Sequence, residues 1–246
     1  MNNMPHFEYY WTNQCVPELK RDCMALVNSG FGSFFTEAFY NAKFIENIYG
    51  PSLITVIYVD GVAAGTNVMW RNDLESVKAY QFADTCLLEQ YRGRGLFKKL
   101  MAYVLEVLGE ETLVYGFPNE NSYPGCVKMG LHVERLYKTL CLFNNNNKKN
   151  AVIEDGYAAW WLKAQNGISY MNKGGEYYLV RKNKNKPIAI LLGRVSEATA
   201  QMFPKTEGFC LLKGFESKSS IYNKNKSIPL VCNKKWKIPY WKIDAI

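Results

Sequence analysis

Histidine is almost missing from this chain: His6 and His132 are the only two among 246 residues. The seven cysteines (Cys15, Cys23, Cys86, Cys126, Cys141, Cys210 and Cys232) form an odd set with no Cys-x-x-Cys pair. Zinc sites and disulfide frameworks need closely spaced ligands or paired thiols, so no metal and no disulfide scaffold is expected. Long apolar runs are lacking too. Nothing approaches the ~18–20 consecutive apolar residues of a membrane helix, and the start Met1-Asn2-Asn3-Met4-Pro5-His6 has neither a basic region nor an apolar signal core. The expectation is a cytoplasmic protein with no membrane span. What is present is ordinary for a globule: 48% hydrophobic, 21% charged and 15% aromatic residues exclude disorder, collagen and coiled coil. The length suits one large domain or an ordinary domain with a smaller partner.

Acidic residues are scarce only in the C-terminal part. Residues 1–145 carry 12 Lys and Arg against 15 Asp and Glu, whereas residues 146–246 carry 18 against 7, which accounts for the net charge of +8. The excess comes in Asn/Lys tracts, at 144–150, 182–186 and 223–226, with Arg181 and Arg194 the only arginines beyond 145. Nucleic-acid grooves favour arginine, so solvated loops are the reading adopted and a nucleic-acid partner is not expected.

The tract over 144–150 has no apolar periodicity and separates two patterned regions, which predicts a domain over 1–143, a linker over 144–150 and a C-terminal α+β lobe over 151–246. In the first region, helical spacing runs over 16–27 and 34–48, with Gly30 and Gly50-Pro51 as stop signals. The β-branched run Leu53–Val59, the turn dipeptide Asp60-Gly61 and Val62–Trp70 read as a hairpin. Strands at 78–88, 112–117 and 131–143 alternate with an amphipathic helix at 96–108 and a short helix near 121–129. The expected order is helix, helix, three strands, helix, strand, helix, strand. The second lobe echoes the front of the first: Phe39-Tyr40, the strand Leu53–Val59 and the return to Trp70 have counterparts in Trp160-Trp161, Tyr177–Val180 and Ile188–Leu192. A partial repeat and an unrelated α+β appendage both fit.

One segment carries a chemical signal. Glu89-Gln90-Tyr91-Arg92-Gly93-Arg94-Gly95-Leu96 follows a strand and opens a helix. Glycines there let a ligand approach the backbone, and the first amides of the helix are unpaired donors at its positive end, which together suit a diphosphate. The third glycine of a dinucleotide fingerprint and the Gly-Lys-Ser/Thr of a P-loop are both absent.

Gln90-x-x-Gly93-x-Gly95 resembles the pyrophosphate loop of the GNAT (GCN5-related) N-acetyltransferases, and Asn119-x-x-Ser122-x-x-x-Cys126-x-Lys128-x-Gly130-Leu131 is similar to a second segment of that family. More narrowly, Lys43-Phe44-x-x-Asn47-x-x-Gly50 and Phe117-Pro118-Asn119 resemble bacterial GNAT proteins of surface-polysaccharide loci. The resemblance implies an α+β mixed-sheet GNAT acyl-CoA acyltransferase fold over 1–143. It also implies acetyl-CoA or another acyl-CoA as cosubstrate, and a small-molecule amine or amino-sugar acceptor. By the same resemblance Leu87 and Leu88 offer backbone groups to the pantetheine, Arg92, Gly93, Arg94, Gly95 and Leu96 direct amides at the pyrophosphate, and Asn119 holds the far end of the pantetheine. A homodimer is allowed.

The chemistry needs a base for the acceptor and an acid for the departing thiolate. Asp84, a carboxylate within the apolar strand Phe82–Cys86, is the candidate base or a hydrogen-bonded structural residue. Cys126 stands where the family commonly has a tyrosine acid, so the acid is Tyr123, Cys126 or water, or Cys126 is a small buried helix residue. Trp160, Trp161, Trp236 and Trp241 are either sugar-stacking faces or core. The competing functions are a non-catalytic acyl-CoA-binding protein and a tandem-GNAT aminoacyl-tRNA-dependent transferase, the latter with little need for the Gln90–Gly95 loop.

Overall fold

The computed structural model describes residues 4–32, 35–74, 76–142, 152–182, 189–207, 210–216, 227–234 and 236. Contacts divide the chain into two units, the first of Met1–Val133 with Pro229–Trp236, the second centred on Glu134–Ile228. The expected linker over 144–150 and the tail beyond Trp236 lie outside the described residues.

The first unit opens with strand β1 (His6–Trp11), helix α1 (Pro17–Phe31), and helix α2 (Glu37–Tyr40), which runs on as one π-helical turn over Asn41–Ile45. Thr36 caps α2 by accepting from the Phe39 amide at 3.2 Å, as an N-cap hydroxyl should. Strands β2 (Leu53–Val59), β3 (Val62–Arg71) and β4 (Ala79–Leu87) follow, then helix α3 (Leu96–Leu108), strand β5 (Leu113–Gly116) and helix α4 (Tyr123–Lys128). The order expected from the sequence omitted β1, so the chain begins with a strand and not with two helices. β1 pairs antiparallel with β2 over its whole length at the sheet edge. Six residues with one side turned to solvent carry too little apolar alternation to announce themselves.

β2 and β3 are buried along nearly their whole length because helices cover both faces. On one face Leu96, Leu100 and Val104 of α3 pack with Leu53, Ile57, Met69, Tyr80 and Val114. On the other, α1 buries Leu19, Cys23, Leu26 and Val27. The Asp60-Gly61 turn has φ +54 and +76, the left-handed pair that a two-residue hairpin demands.

The second unit holds β6 (His132–Leu142), a short helix α5 (Asp155–Tyr157) with a π-turn over Ala158–Leu162, β7 (Ile168–Lys173), β8 (Glu176–Lys182), β9 (Ala189–Val195), α6 (Glu197–Ala200) and β10 (Cys210–Glu216). β7, β8 and β9 are antiparallel, β10 is parallel to β9, and β6 is antiparallel to β10. The last strand, β11 (Ser227–Cys232), runs antiparallel to β5 in the first unit. Asn233 fastens this return, accepting from the Val114 amide at 2.9 Å and donating to the Thr112 carbonyl at 2.7 Å.

Both units therefore run helix, π-turn, three antiparallel strands, helix and a strand parallel to the third, with an antiparallel strand beside it. This order corrects the alignment expected from the sequence by one strand: the counterpart of Leu53–Val59 is Ile168–Lys173, not Tyr177–Val180.

Candidate active site

β4 and β5 pair in parallel at only three positions, Ala79↔Leu113, Tyr80↔Val114 and Gln81↔Tyr115, although β4 continues to Leu87. The two strands part beyond Gln81. Phe82 lies where a side chain at position 116 would project: a Cβ on Gly116 would come within 2.8 Å of it. At the far end of β4 the Leu88 amide donates to the Ala64 carbonyl at 3.0 Å. The alternation of an antiparallel ladder then turns the Leu87 amide and carbonyl away from β3, towards the side where β4 has no partner. The Leu87 carbonyl accepts from Arg92 Nε at 3.0 Å.

From Leu88 the chain makes a 3₁₀ turn over Glu89–Tyr91, with Gln90 exposed, and reaches α3 through Gly93 and Gly95. Both glycines are left-handed, at φ +75 and +72, and Gly95 is the N-cap of α3. A glycine cap has no side chain to accept from the first amides of the helix, so those of Leu96, Phe97 and Lys98 lack an intrahelical acceptor at the positive dipole end. Arg92, Arg94, Lys98 and Lys99 surround this end and are exposed, with the Arg94 guanidinium 5.6 Å from the centre of the Tyr91 ring. Local charge and unpaired donors both favour an anion here.

α4 is seated on α3 at Gly125, where a Cβ would come within 2.4 Å of the Phe97 ring. Asn119 caps the approach to α4: its Oδ1 accepts from the amides of Asn121 and Ser122 at 3.1 and 3.0 Å. Nδ2 is the group it can offer a ligand. Tyr123 opens α4 and is half-buried, whereas Cys126 is buried with Leu131 and Val231, packed by Phe82, Phe97 and Met129. Burial pushes the Cys126 thiol up, so it stays protonated within an apolar cluster.

Asp84 stands apart from these groups. In the β3–β4 ladder Thr66 faces Cys86 and Val68 faces Ala83, so Asp84 and Thr85 together oppose the single residue Asn67. This β-bulge changes the phase of the strand. Thr85 takes the α3 side, where Asn67 Nδ2 donates to its hydroxyl at 2.7 Å and lies near Met101. Asp84, at φ +45, takes the α1 side and accepts from Lys43 Nζ at 2.8 Å. Lys43 sits within the π-turn, its side chain 8% exposed, with Nζ 5.2–5.3 Å from the ring centres of Phe39, Phe44 and Trp70.

Asp84 and Cys126 thus flank the parting of β4 and β5 on opposite faces, with the glycine loop at its end. Lys43 was missed as the partner of Asp84. The sequence offered one signal, a lysine as the only charged residue in the aromatic-rich stretch Phe39–Ile45. Of the tryptophans, Trp161 is buried, Trp160 half-buried and Trp236 40% exposed. Trp241 lies outside the described residues. No described helix is long and apolar enough to cross a membrane.

No protein-family model matches the chain, and no curated protein does. Among solved structures it is similar to a GCN5-related N-acetyltransferase of Kribbella flavida, with TM-score 0.53 and 10% identity over 92% of this chain and 71% of that one. It is similar to a conserved Enterococcus faecalis protein of unknown function described as an N-acyltransferase by inference, with TM-score 0.52 and 12% identity over 93% and 72%. A Pyrococcus horikoshii protein assigned to the acetyltransferases matches at TM-score 0.51 and 10% identity over 98% and 95%. At these identities the likeness concerns the fold, and the chain has the mixed-sheet α+β GNAT acyltransferase fold.

Proposed function

We propose that the chain is an acyltransferase that moves an acetyl group directly from acetyl-CoA to an amine, with an amino sugar or related cell-surface precursor as acceptor. The observation that carries this reading is the left-handed Gly93-x-Gly95 turn, which leaves the first amides of α3 uncapped among four cations at the end of β4. A diphosphate satisfies such a helix end. The pantetheine would follow the parting of β4 and β5, using the Leu87 backbone and Asn119 Nδ2. Leu88 has less to give, since its amide is held by Ala64.

In the transfer the acceptor nitrogen attacks the thioester carbonyl carbon, the C–S bond breaks, one proton leaves the nitrogen and one reaches the thiolate. Asp84 would receive the first. Tyr123, half-buried at the start of α4, is the preferred donor of the second, because Cys126 is enclosed by apolar side chains. That enclosure also favours a second reading, an acyl-CoA-binding protein without turnover.

Thermal unfolding with acetyl-CoA tests the donor side, since a ligand specific for the folded state stabilises by RT ln(1 + [L]/Kd), ~2.7 kcal/mol at a hundredfold excess over Kd. A raised melting temperature is expected, and no shift at millimolar acetyl-CoA would remove the assignment. Thiol release with a panel of amines then separates enzyme from binding protein.

A further inference from the structure

Two local departures from regular backbone meet at one ion pair. Lys43 lies in a π-turn, a rare conformation concentrated at functional positions. Asp84 lies in a β-bulge at φ +45, a conformation that costs a non-glycine residue energy and persists only where the surroundings enforce it. Without the extra bulge residue, strict alternation from Ala83, which faces Val68, would carry Asp84 to the α3 side and Thr85 to the α1 side. The bulge exchanges them. A carboxylate is brought to Lys43, and its side chain keeps 16% exposure while that of Lys43 keeps 8%.

The ring centres of Phe39, Phe44 and Trp70 lie within 5.3 Å of Nζ, a setting that favours the cation. The titratable group coupled to this pair is the Cys23 thiol from α1, which in turn feels the Cys86 thiol on β4. Cys23 is fully buried and pushed up to about 12, chiefly by burial. Neither thiol competes for the lysine as an anion. A pair made only for stability has no need of two irregular segments, and apolar groups of similar volume commonly serve as well.

We infer that Asp84 is the anionic contact for a primary amine on the acceptor side of the site, and that Lys43 is its positioning residue, holding the carboxylate turned to the α1 face. This rests on the acyltransferase reading. Lys43 touches neither substrate; its charge is enclosed by rings, so an arriving ammonium meets only the carboxylate. The acceptor binds as the cation and passes one proton to Asp84, which frees the nitrogen lone pair; the neutral amine then attacks the thioester carbon, and as the C–S bond breaks the second proton leaves the nitrogen and one reaches the thiolate.

The test uses the full chain, acetyl-CoA, and n-propylamine and glucosamine as acceptor probes, with thiol release as readout. Lys43→Met should lower kcat by ~10–100-fold, part of what a positioned acid–base group supplies, with the KM for acetyl-CoA and the acetyl-CoA melting shift unchanged. Lys43→Arg, which keeps the charge, should recover most of the rate. Should Lys43→Met fail to fold, Lys43→Gln retains one hydrogen bond to Asp84 without the charge and carries the same expectation. Wild-type kcat in the folded neutral variant, or no recovery in Lys43→Arg, overturns the positioning role. Absence of thiol release with either amine, while acetyl-CoA still raises the melting temperature, overturns the amine contact. No melting shift at all removes the acyltransferase reading instead.

Discussion

The turn from β4 to α3 and the turn from β9 to α6 occupy the same place in the two units, and they end in opposite ways. In the first, Gly95 caps the helix at φ +72 with no side chain, and cations gather around free amides. In the second, Ser196 caps the helix from an ordinary extended conformation, and its hydroxyl accepts from the Thr199 amide at 3.2 Å. Asp155 then accepts from the Ser196 amide at 3.1 Å, and Tyr177 donates to Glu197. In the second turn the Ser196 and Thr199 amides find side-chain acceptors, and Asp155 and Glu197 add negative charge. The same strand order therefore yields one helix end without a side-chain cap and one with a serine cap. Fold alone does not distribute the chemistry; two glycines and a serine do.

Closing the first turn should have the largest effect, because it removes the donor binding on which all turnover depends. Gly93→Val or Gly95→Val places a β-branched residue at φ +75 or +72, where it is strained and projects towards the phosphate approach. Acetyl-CoA affinity should fall at least ~100-fold, read as loss of most of the ~2.7 kcal/mol ligand stabilisation. Calorimetric titration at matched temperature separates this from the variants' own lower stability. Retained affinity in both would make the loop a plain connection and dissolve the contrast.

Next in size is Asp84→Asn. The carboxylate faces α1 while the glycine loop leads into α3, so donor and acceptor functions should separate within one unit. Turnover should drop by roughly 10²–10⁴, with the acetyl-CoA melting shift intact. Full turnover would mean that the acceptor's proton leaves by another route. Tyr123→Phe should cost less, on the order of tenfold, because a thiol is already a fair leaving group. Cys126→Ala should leave kcat unchanged and lower stability by about 1 kcal/mol through the small gap left beside Leu131 and Val231. An inactive Cys126→Ala that still binds acetyl-CoA would make the thiol the acid.

How much of this was legible in the sequence depended on distance along the chain. Helix α3 over Leu96–Leu108 and the glycine turn before it were readable because periodicity, caps and loop chemistry are local. The Lys43–Asp84 pair spans 41 residues and depends on a π-turn and a bulge, neither of which has a sequence period. The return of β11 to β5 spans 119 residues at the Asn233–Val114 hydrogen bond. A strand's partner is set by tertiary packing, so nothing within Ser227–Cys232 names β5. β7 went unread because its run Ile-Ser-Tyr-Met-Asn-Lys turns polar halfway and is followed closely by two glycines.

The smallest effect concerns the second turn, and it tests the comparison from the other side. Ser196→Ala removes the hydroxyl that caps α6, which should cost about 0.5–1 kcal/mol, the low end for a cap because the helix has only four residues. Part of that cost runs through Asp155. Burial raises its carboxyl, but hydrogen bonds from the Ser196 amide and from the Thr199 and Ser196 hydroxyls outweigh it and hold the group below the usual carboxylate value. A carboxyl lowered in the folded state contributes stability above its unfolded value, ~3.9, and loses it as pH falls through the folded value. The Ser196→Ala penalty should therefore be largest at neutral pH and shrink in acid, as Asp155 gains its proton and the hydroxyl-to-carboxylate share disappears. Chemical denaturation of both chains at neutral and acid pH measures this difference. A penalty that grows in acid would contradict the assignment of Asp155. Acetyl-CoA stoichiometry should meanwhile stay at one per chain. A second equivalent bound by Ser196→Ala would mean that the serine cap alone had kept this turn closed, and that the two units differ by a single hydroxyl where two glycines had seemed to decide.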